Sequence, residues 1–387
     1  MNTLKKAALL ASLTFGNTAQ AGFLYNLTDL GTLGGSYENI YAGNDSSGSA
    51  INNLGQVTGY SLTANGNIHA FITESNGVMS DLGTLNGNGY SFGNDINNLG
   101  QVTGYLQNYN YHAFSTDTNG VIKDLGTLGG DFSLGNGIND LGQVTGVSLL
   151  ANGTPFNWIY HAFITDSNGV MSDLGTLGGI NSYGYDINAF GQVTGYSLTA
   201  NGNTHAFLTD SNGVMSDLGT LVDINSSSYG QGINDLGQVT GFSESENGYF
   251  HAFITDSNGG MSDLGTLGGL VSYGSDINNL GQVTGTSART NGLASAFVTD
   301  NGVMRDLNSL LLASITGWDL GNGNGINDVG QITGIGLHNG KQHAFLLTPT
   351  DMIANVSPVP EPSSIYLFAS GLGLMFFKLH NRKIREE

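Results

Sequence analysis

One phrase recurs along this chain, and its first and last copies are out of phase. The fullest copy, Ser182 to Val222, reads SYGYDINAFGQVTGYSLTANGNTHAFLTDSNGVMSDLGTLV. GQVTG or GQITG begins at Gly55, Gly100, Gly142, Gly191, Gly237, Gly281 and Gly330, and an Ala-Phe pair, usually His-Ala-Phe, follows each. DLGTL-like segments begin at Asp29, Asp81, Asp124, Asp173, Asp217, Asp263 and Asp306. The first of these precedes every GQVTG, and the last His-Ala-Phe, at His343, has none after it. A period of 42 to 52 residues means stacked units, none able to bury its apolar face alone. The offset means that the two ends complete one another.

Turn chemistry divides each unit into four strands. In the fourth copy strand a is SYGYDIN, strand b GQVTGYS, strand c HAFLT and strand d VMSDLGTL. Asn-Asn-Leu-Gly or Asn-Asp-Leu-Gly joins a to b in most copies, and Asp-Ser-Asn-Gly joins c to d; both are hairpin signals in which Gly takes the positive φ. Glycines inside strands b and d point to close approach of neighbouring sheets. Four short strands per unit make a propeller blade. The reading is an all-β, seven-bladed β-propeller over residues 22–350, closed by Leu24 to Leu33 as the missing strand d of the last blade. An open β-solenoid is the alternative. Strand alternation puts the nearly invariant a–b and c–d turns on one face and the varied b–c and d–a loops on the other, where recognition is expected. The longer d–a loops 36–50 and 310–325, the latter with Trp318, would meet at the seam.

Composition restricts partners. Only Lys123, Arg289, Arg305 and Lys341 are basic between Gly22 and Ser357, whereas all but three of the 30 acidic residues lie there. Such a body repels phosphate backbones, so nucleic acid is not an expected partner. Cysteine is absent, and stability must come from packing and ring closure.

The ends read as addresses. Residues 1–21 have a secretory signal's order: Lys5 and Lys6, an apolar run from Ala7 to Phe15, then Ala19-Gln20-Ala21 as the cleavage site. At the other end a stiff linker, 351–364, holds Pro358-Val359-Pro360-Glu361-Pro362-Ser363. An uncharged apolar segment, 365–377, and a basic tail, 378–387, follow. Thirteen residues are short for a span of about 20, but snorkelling of Lys378 and the preceding serines would extend it. A transmembrane helix with a cytoplasmic basic end is expected.

The order of proline-glutamate-proline, apolar span and basic cluster resembles the PEP-CTERM sorting signal of bacteria. The resemblance implies recognition at Val359, Pro360, Glu361 and Pro362 by an exosortase-type membrane peptidase, transient anchoring in the inner membrane, and export to the cell surface or extracellular matrix of a Gram-negative bacterium. The body, with six His-Ala-Phe triplets and seven GQ[VI]TG segments, resembles the HAF family of extracellular repeats. That resemblance brings no defined activity with it.

No phosphate loop, nucleophile elbow or zinc signature stands out, and almost every carboxylate belongs to the repeat. Glu244 and Glu246 depart from it, but a glycosidase needs a defined carboxylate pair. The histidines His69, His112, His161, His205, His251 and His343 lie in different blades, too far apart to share an ion, and are read as hydrogen-bonded to Asp or Ser. No metal ligand set is assigned and no cofactor is expected. Calcium in the Asp-Ser-Asn-Gly turns is the less favoured alternative, because the terminal bidentate glutamate of a calcium loop is missing. Aromatic enrichment in three b–c loops stands out: Tyr109 and Tyr111 beside Tyr105, then Phe156, Trp158 and Tyr160, then Tyr249 and Phe250. Aromatic faces beside amides suit neutral sugar rings. The expected function is therefore a non-enzymatic surface or matrix protein that binds neutral exopolysaccharide, with a carbohydrate-active lyase or hydrolase as the alternative. For any single ring, capping of a blade edge is an equally good account.

Overall fold

The alanine and phenylalanine of strand c dictate the layering. Neighbouring residues on a strand point to opposite faces, yet Ala70 and Phe71, and each corresponding pair through Ala344 and Phe345, are fully buried. Strand c must therefore be covered on both sides. Phe71 packs with Ile51 and Val57 of its own repeat and Leu346 of the last, while Ala70 packs against Val102 and Phe114 of the next. Seven such clusters lie between successive repeats, the seam included. Each buried phenylalanine contributes on the order of 2–3 kcal/mol.

The computed structural model describes residues 24–35, 45–74, 76–87, 89–151 and 158–350. Each repeat pairs its strands in chain order and antiparallel, as in the fourth: Gly178–Ile187, Val193–Thr199, Thr204–Thr209 and Met215–Asp217. The arrangement is all-β and propeller-like, but the expectation of seven separate blades needs correction. Among the described residues five four-stranded sheets stand apart, and the second and third repeats share one eight-stranded sheet. The physical reason is a single parallel pair. In strand a of the third repeat, Gly129–Ile138, Phe132 pairs with Tyr111 of the preceding strand c, a pair that Gly178–Ile187 and Gly268–Ile277, which begin at the same point of their repeats, do not make.

The chain closes through its ends. Tyr25–Gly31 pairs antiparallel with Lys341–Pro349 and completes a sheet with Trp318–Ile326 and Ile332–His338. Across the seam Asn324 Nδ2 donates to Gly48 O (2.8 Å) and Ala344 N to Ser46 Oγ (2.9 Å). An open solenoid has no such bonds between its first and last repeats.

The asparagine ending strand a links every repeat to the next. Asn52, Asn97, Asn139, Asn188, Asn234, Asn278 and Asn327 each donate from Nδ2 to the main-chain oxygen of the next, at 2.9–3.2 Å, and Asn327 returns to Asn52. The same side chain closes its own turn: Asn188 Oδ1 accepts from Phe190 N and Gln192 N. Close approach also fixes glycine inside the strands. A Cβ on Gly93 would lie 2.5 Å from Thr58 Oγ1 of the preceding repeat.

Among the described residues no helix is long and apolar enough to cross a membrane. The expected signal 1–21, linker 351–364, transmembrane helix 365–377 and basic tail 378–387 lie outside the described residues, as does most of loop 36–50.

Candidate functional site

The b–c loop of the second repeat, between strands Val102–Gln107 and Tyr111–Thr116, shapes a cavity of about 230 Å³. Tyr90, Tyr109, Gln107, Asn108 and Asn110 line it, with the His112–Asp124 pair as one wall. Tyr109 is 98% exposed and Tyr90 40%. Gln107 Nε2 donates to the Tyr111 hydroxyl (2.8 Å), fixing one side of the loop. Two open rings beside three amide side chains can stack on an apolar face and bond hydroxyls around it.

The aromatic residues singled out from the sequence divide into two groups. Tyr109, Trp158 and Tyr249 are exposed, the last two by 47% and 43%. Tyr111, Tyr160 and Phe250 are packed into a row of rings. The row runs Tyr60, Phe92, Tyr105, Tyr111, Phe132, Tyr160, Tyr183, Tyr196, Tyr229, Phe242 and Tyr273, with centroids 4.7–5.9 Å apart. Phe250 abuts it, 5.4 Å from Phe242. These rings seal repeat against repeat, although Tyr111 stays 36% exposed. Phe156 lies outside the described residues. Among the described residues of the predicted set, only Tyr109 lines the cavity. Its partners Asn108 and Asn110 are signalled by the alternation Gln-Asn-Tyr-Asn-Tyr in the loop, where the amides matter as much as the rings, whereas Tyr90 comes from the start of strand a and carries no such signal.

The histidines are paired within their own repeats. His69, His112, His161, His205 and His251 each place Nδ1 2.8–2.9 Å from the strand d aspartate. In the sixth repeat Ser295 replaces histidine, and Arg289 bonds Asp306 instead (2.9 Å). The seventh departs further: Asp29, from the N-terminal strand, receives both His343 and His338 at 2.9 Å. Burial pushes the Asp29 carboxyl up, but hydrogen bonds from His343, Gly31 and His338 outweigh it and leave the group below its ordinary value. The Asp-Ser-Asn-Gly turns occupy their carboxylates differently. Asp210 Oδ1 accepts from Asn212 N and Val214 N, and those amides hold its carboxyl low.

A second cavity of about 180 Å³ lies on the axis, where the asparagine turns converge. The residue two before each asparagine runs Ala50, Asp95, Gly137, Asp186, Gly232, Asp276, Gly325. Aspartate thus alternates with a small residue. Each aspartate joins two repeats: Asp186 accepts from Ile187 N (2.7 Å) and from Ile233 N of the next (2.8 Å). Asp95 and Asp276 do the same with Ile138 and Ile326. Gly137 is small because a Cβ there would lie 2.9 Å from Asp186 Cα. Asp95, Asp186 and Asp276 keep intermediate exposure as they line the cavity, and their carboxylates accept main-chain amides. Burial pushes Asp186 up to about 6 and Asp276 to about 7, and Asp95 rises well above its ordinary value, with the charge of Asp186 adding to burial. On the same face the a–b turns expose Leu54, Leu99, Leu141, Phe190, Leu236, Leu280 and Val329, each by more than half.

Comparison with known proteins bears on the tail and the fold. The model of the PEP-CTERM protein-sorting motif matches residues 358–383. That motif marks an exported protein, processed at the membrane by an exosortase. No curated protein matches the chain. Among solved structures, a puromycin hydrolase is similar over 81% of this chain and 56% of its own, at 11% identity and a TM-score of 0.52. A puromycin-hydrolyzing peptidase of Mycobacterium tuberculosis is similar over 75% and 50%, at 10% identity and a TM-score of 0.49. A gluconolactonase of Xanthomonas campestris is similar over 87% and 94%, at 11% identity and a TM-score of 0.39. The chain spans about half the length of the puromycin-hydrolysing structures. At such identities the likeness concerns the fold alone.

Proposed function

We propose that the mature protein acts at the cell surface or in the extracellular matrix of a Gram-negative bacterium as a non-enzymatic binder of neutral exopolysaccharide, built from HAF-type repeats. In this reading the secretory signal 1–21 is removed on export. The segment 365–377 anchors the chain transiently until the exosortase acts near Val359-Pro360-Glu361-Pro362. The observation that carries the binding role is the cavity of the second repeat, where exposed Tyr109 and Tyr90 flank Asn108 and Asn110. Each stacking ring contributes on the order of 1 kcal/mol, so one cavity binds weakly and gains from multiple attachment. A chain with a formal charge of −20 disfavours polyanionic sugars.

Retention on immobilised neutral exopolysaccharides tests the reading. Wild-type protein is expected to be retained and Tyr109→Ala to elute at least about 5-fold earlier in competing sugar, as loss of one stacking contact requires. Trp158→Ala, outside the cavity, should behave as wild type. Equal elution of wild type and Tyr109→Ala would overturn the site, and shortening of the polysaccharide would replace binding with catalysis.

A further inference from the structure

The seventh repeat alone brings two histidines to its strand d aspartate, and that aspartate comes from the other end of the chain. His338 ends strand b and His343 lies in strand c; the Asn339-Gly340 turn between them has both φ angles positive, 52° and 84°. This is the tightest way to join two antiparallel strands. It makes His338 pair with Lys341 and Gly336 with His343, so the two imidazoles are diagonal neighbours on one face, 5.8 Å between ring centroids. The other repeats carry Thr63, Asn108, Leu150, Thr199, Ser245 and Arg289 at the position of His338, so the fold itself does not call for histidine there.

We propose that Asp29, His338 and His343 form a site for a divalent transition cation of the zinc type, which clamps the N-terminal strand into the ring. The donor set excludes calcium and magnesium, which take oxygen ligands, and favours an ion that accepts imidazole. The geometry is nearly made. One donor atom from each residue lies within 4.8 Å of the others, and each Nδ1 is 2.9 Å from an Asp29 oxygen. Metal–ligand bonds of about 2.0–2.1 Å in a tetrahedral site separate the donors by roughly 3.3 Å, so each Asp29–His contact opens by a few tenths of an ångström, while the two imidazole donors, within 4.8 Å of each other, draw together to that spacing. Side-chain exposures of 30%, 30% and 19% for Asp29, His338 and His343 leave one side open to water as fourth ligand. The cation takes the place of the Nδ1 protons that now bond the carboxylate. Because Asp29 and His338 are 309 residues apart in sequence, the site exists only in the closed ring, and binding stabilises closure by mass action.

Trp318 supplies a reporter, since its indole stacks on His338 at 4.7 Å and 10°. The full-length protein, stripped with chelator, is titrated at pH 7.5 with cobalt(II) and then zinc(II). Wild type is expected to bind one ion per chain, with cobalt absorption bands, quenching of about half the tryptophan emission, and a melting temperature raised by zinc. His338→Ala, which leaves the Asp29–His343 pair that other repeats have, is expected to keep the metal-free melt but bind at least about 10-fold more weakly. His69→Ala, which breaks an ordinary pair, should bind as wild type. No stoichiometric binding by wild type at 100 µM free zinc, on the order of a weak adventitious site, would overturn the proposal. So would equal binding by wild type and His338→Ala, which would leave His338 a hydrogen-bond donor only.

Discussion

A single asparagine per repeat holds turn and ring together. Asn188 is 3% exposed, and its amide satisfies Phe190 N, Gln192 N, the Gln192 side chain and the main-chain oxygen of Asn234. Truncation leaves those buried groups without partners, and an orphaned buried polar group costs about 1–3 kcal/mol. Asn188→Ala should therefore lower stability by roughly 2–4 kcal/mol, read as a fall in the denaturant midpoint. Two residues past an equivalent asparagine, Leu280 is 70% exposed, and Leu280→Ser should stay within about 0.5 kcal/mol of wild type. Equal effects of the two substitutions would remove the asparagine ring from its stabilising role. The recurrence of this asparagine is plain in the sequence, but read locally it is a turn residue. Its second bond, to another repeat, becomes legible only once the copies are known to face a common axis. The same holds for Asp95, Asp186 and Asp276. Their alternation with glycine is written in the chain, yet it means nothing until seven strand ends meet.

At the scale of elements, the phase offset was the most readable feature, because a strand d without its blade and a blade without its strand d can satisfy each other. Tyr25 and Leu30 are 4% and 5% exposed in the seam, and Thr350 N bonds Leu24 O at 2.8 Å. Deleting residues 24–31 removes roughly 5 kcal/mol of apolar burial from those two side chains alone and bares the edge of Lys341–Pro349 to association. The shortened protein should lose its cooperative melt and elute as aggregate by size exclusion. A synthetic peptide covering the deleted strand should restore the monomer. A monomeric, cooperative protein without the strand would show that the ring does not depend on it. Elements whose pairing depends on one residue were not readable. The merging of the second and third repeats turns on Phe132 meeting Tyr111, and the strand patterns on either side are those of every other repeat. The aromatic site divides for a related reason. Tyr160 and Phe250 open strand c and so fall between neighbouring sheets, whereas Tyr109 sits at a loop tip. His338 escaped notice because the histidines were grouped by their triplet, and it belongs to none.

The whole ring should be most stable in mildly acidic solution. Three axial carboxylates, each shared between two repeats, retain protons in the folded state that they release when unfolded. Asp276 rises from an ordinary 3.8 to about 7 and Asp186 to about 6, burial being the first cause, and Asp95 shifts the same way. The sign follows from proton counts. Between pH 4 and 7 the folded protein binds more protons than the unfolded chain, so stability falls as pH rises through that window and levels off above it. Net charge acts in the same sense, since a formal charge of −20 at pH 7 repels itself less as acid titrates it. Turn carboxylates such as Asp210, held below their ordinary value by main-chain amides, act in the opposite sense and lose their contribution only as pH falls below about 4. Variants separate the two contributions. Asp276→Asn loses one titrating axial group while leaving the surface charge intact, so its melting temperature should fall less steeply between pH 4 and 7 than that of wild type. Its absolute stability at pH 5 can drop, because the new amide faces Ile277 N or Ile326 N, each of which donates to the carboxylate in wild type. The slope, not the level, is the readout. Parallel curves for wild type and Asp276→Asn, measured with chelator present, would assign the pH dependence to surface charge and leave the axial carboxylates ionised within the ring.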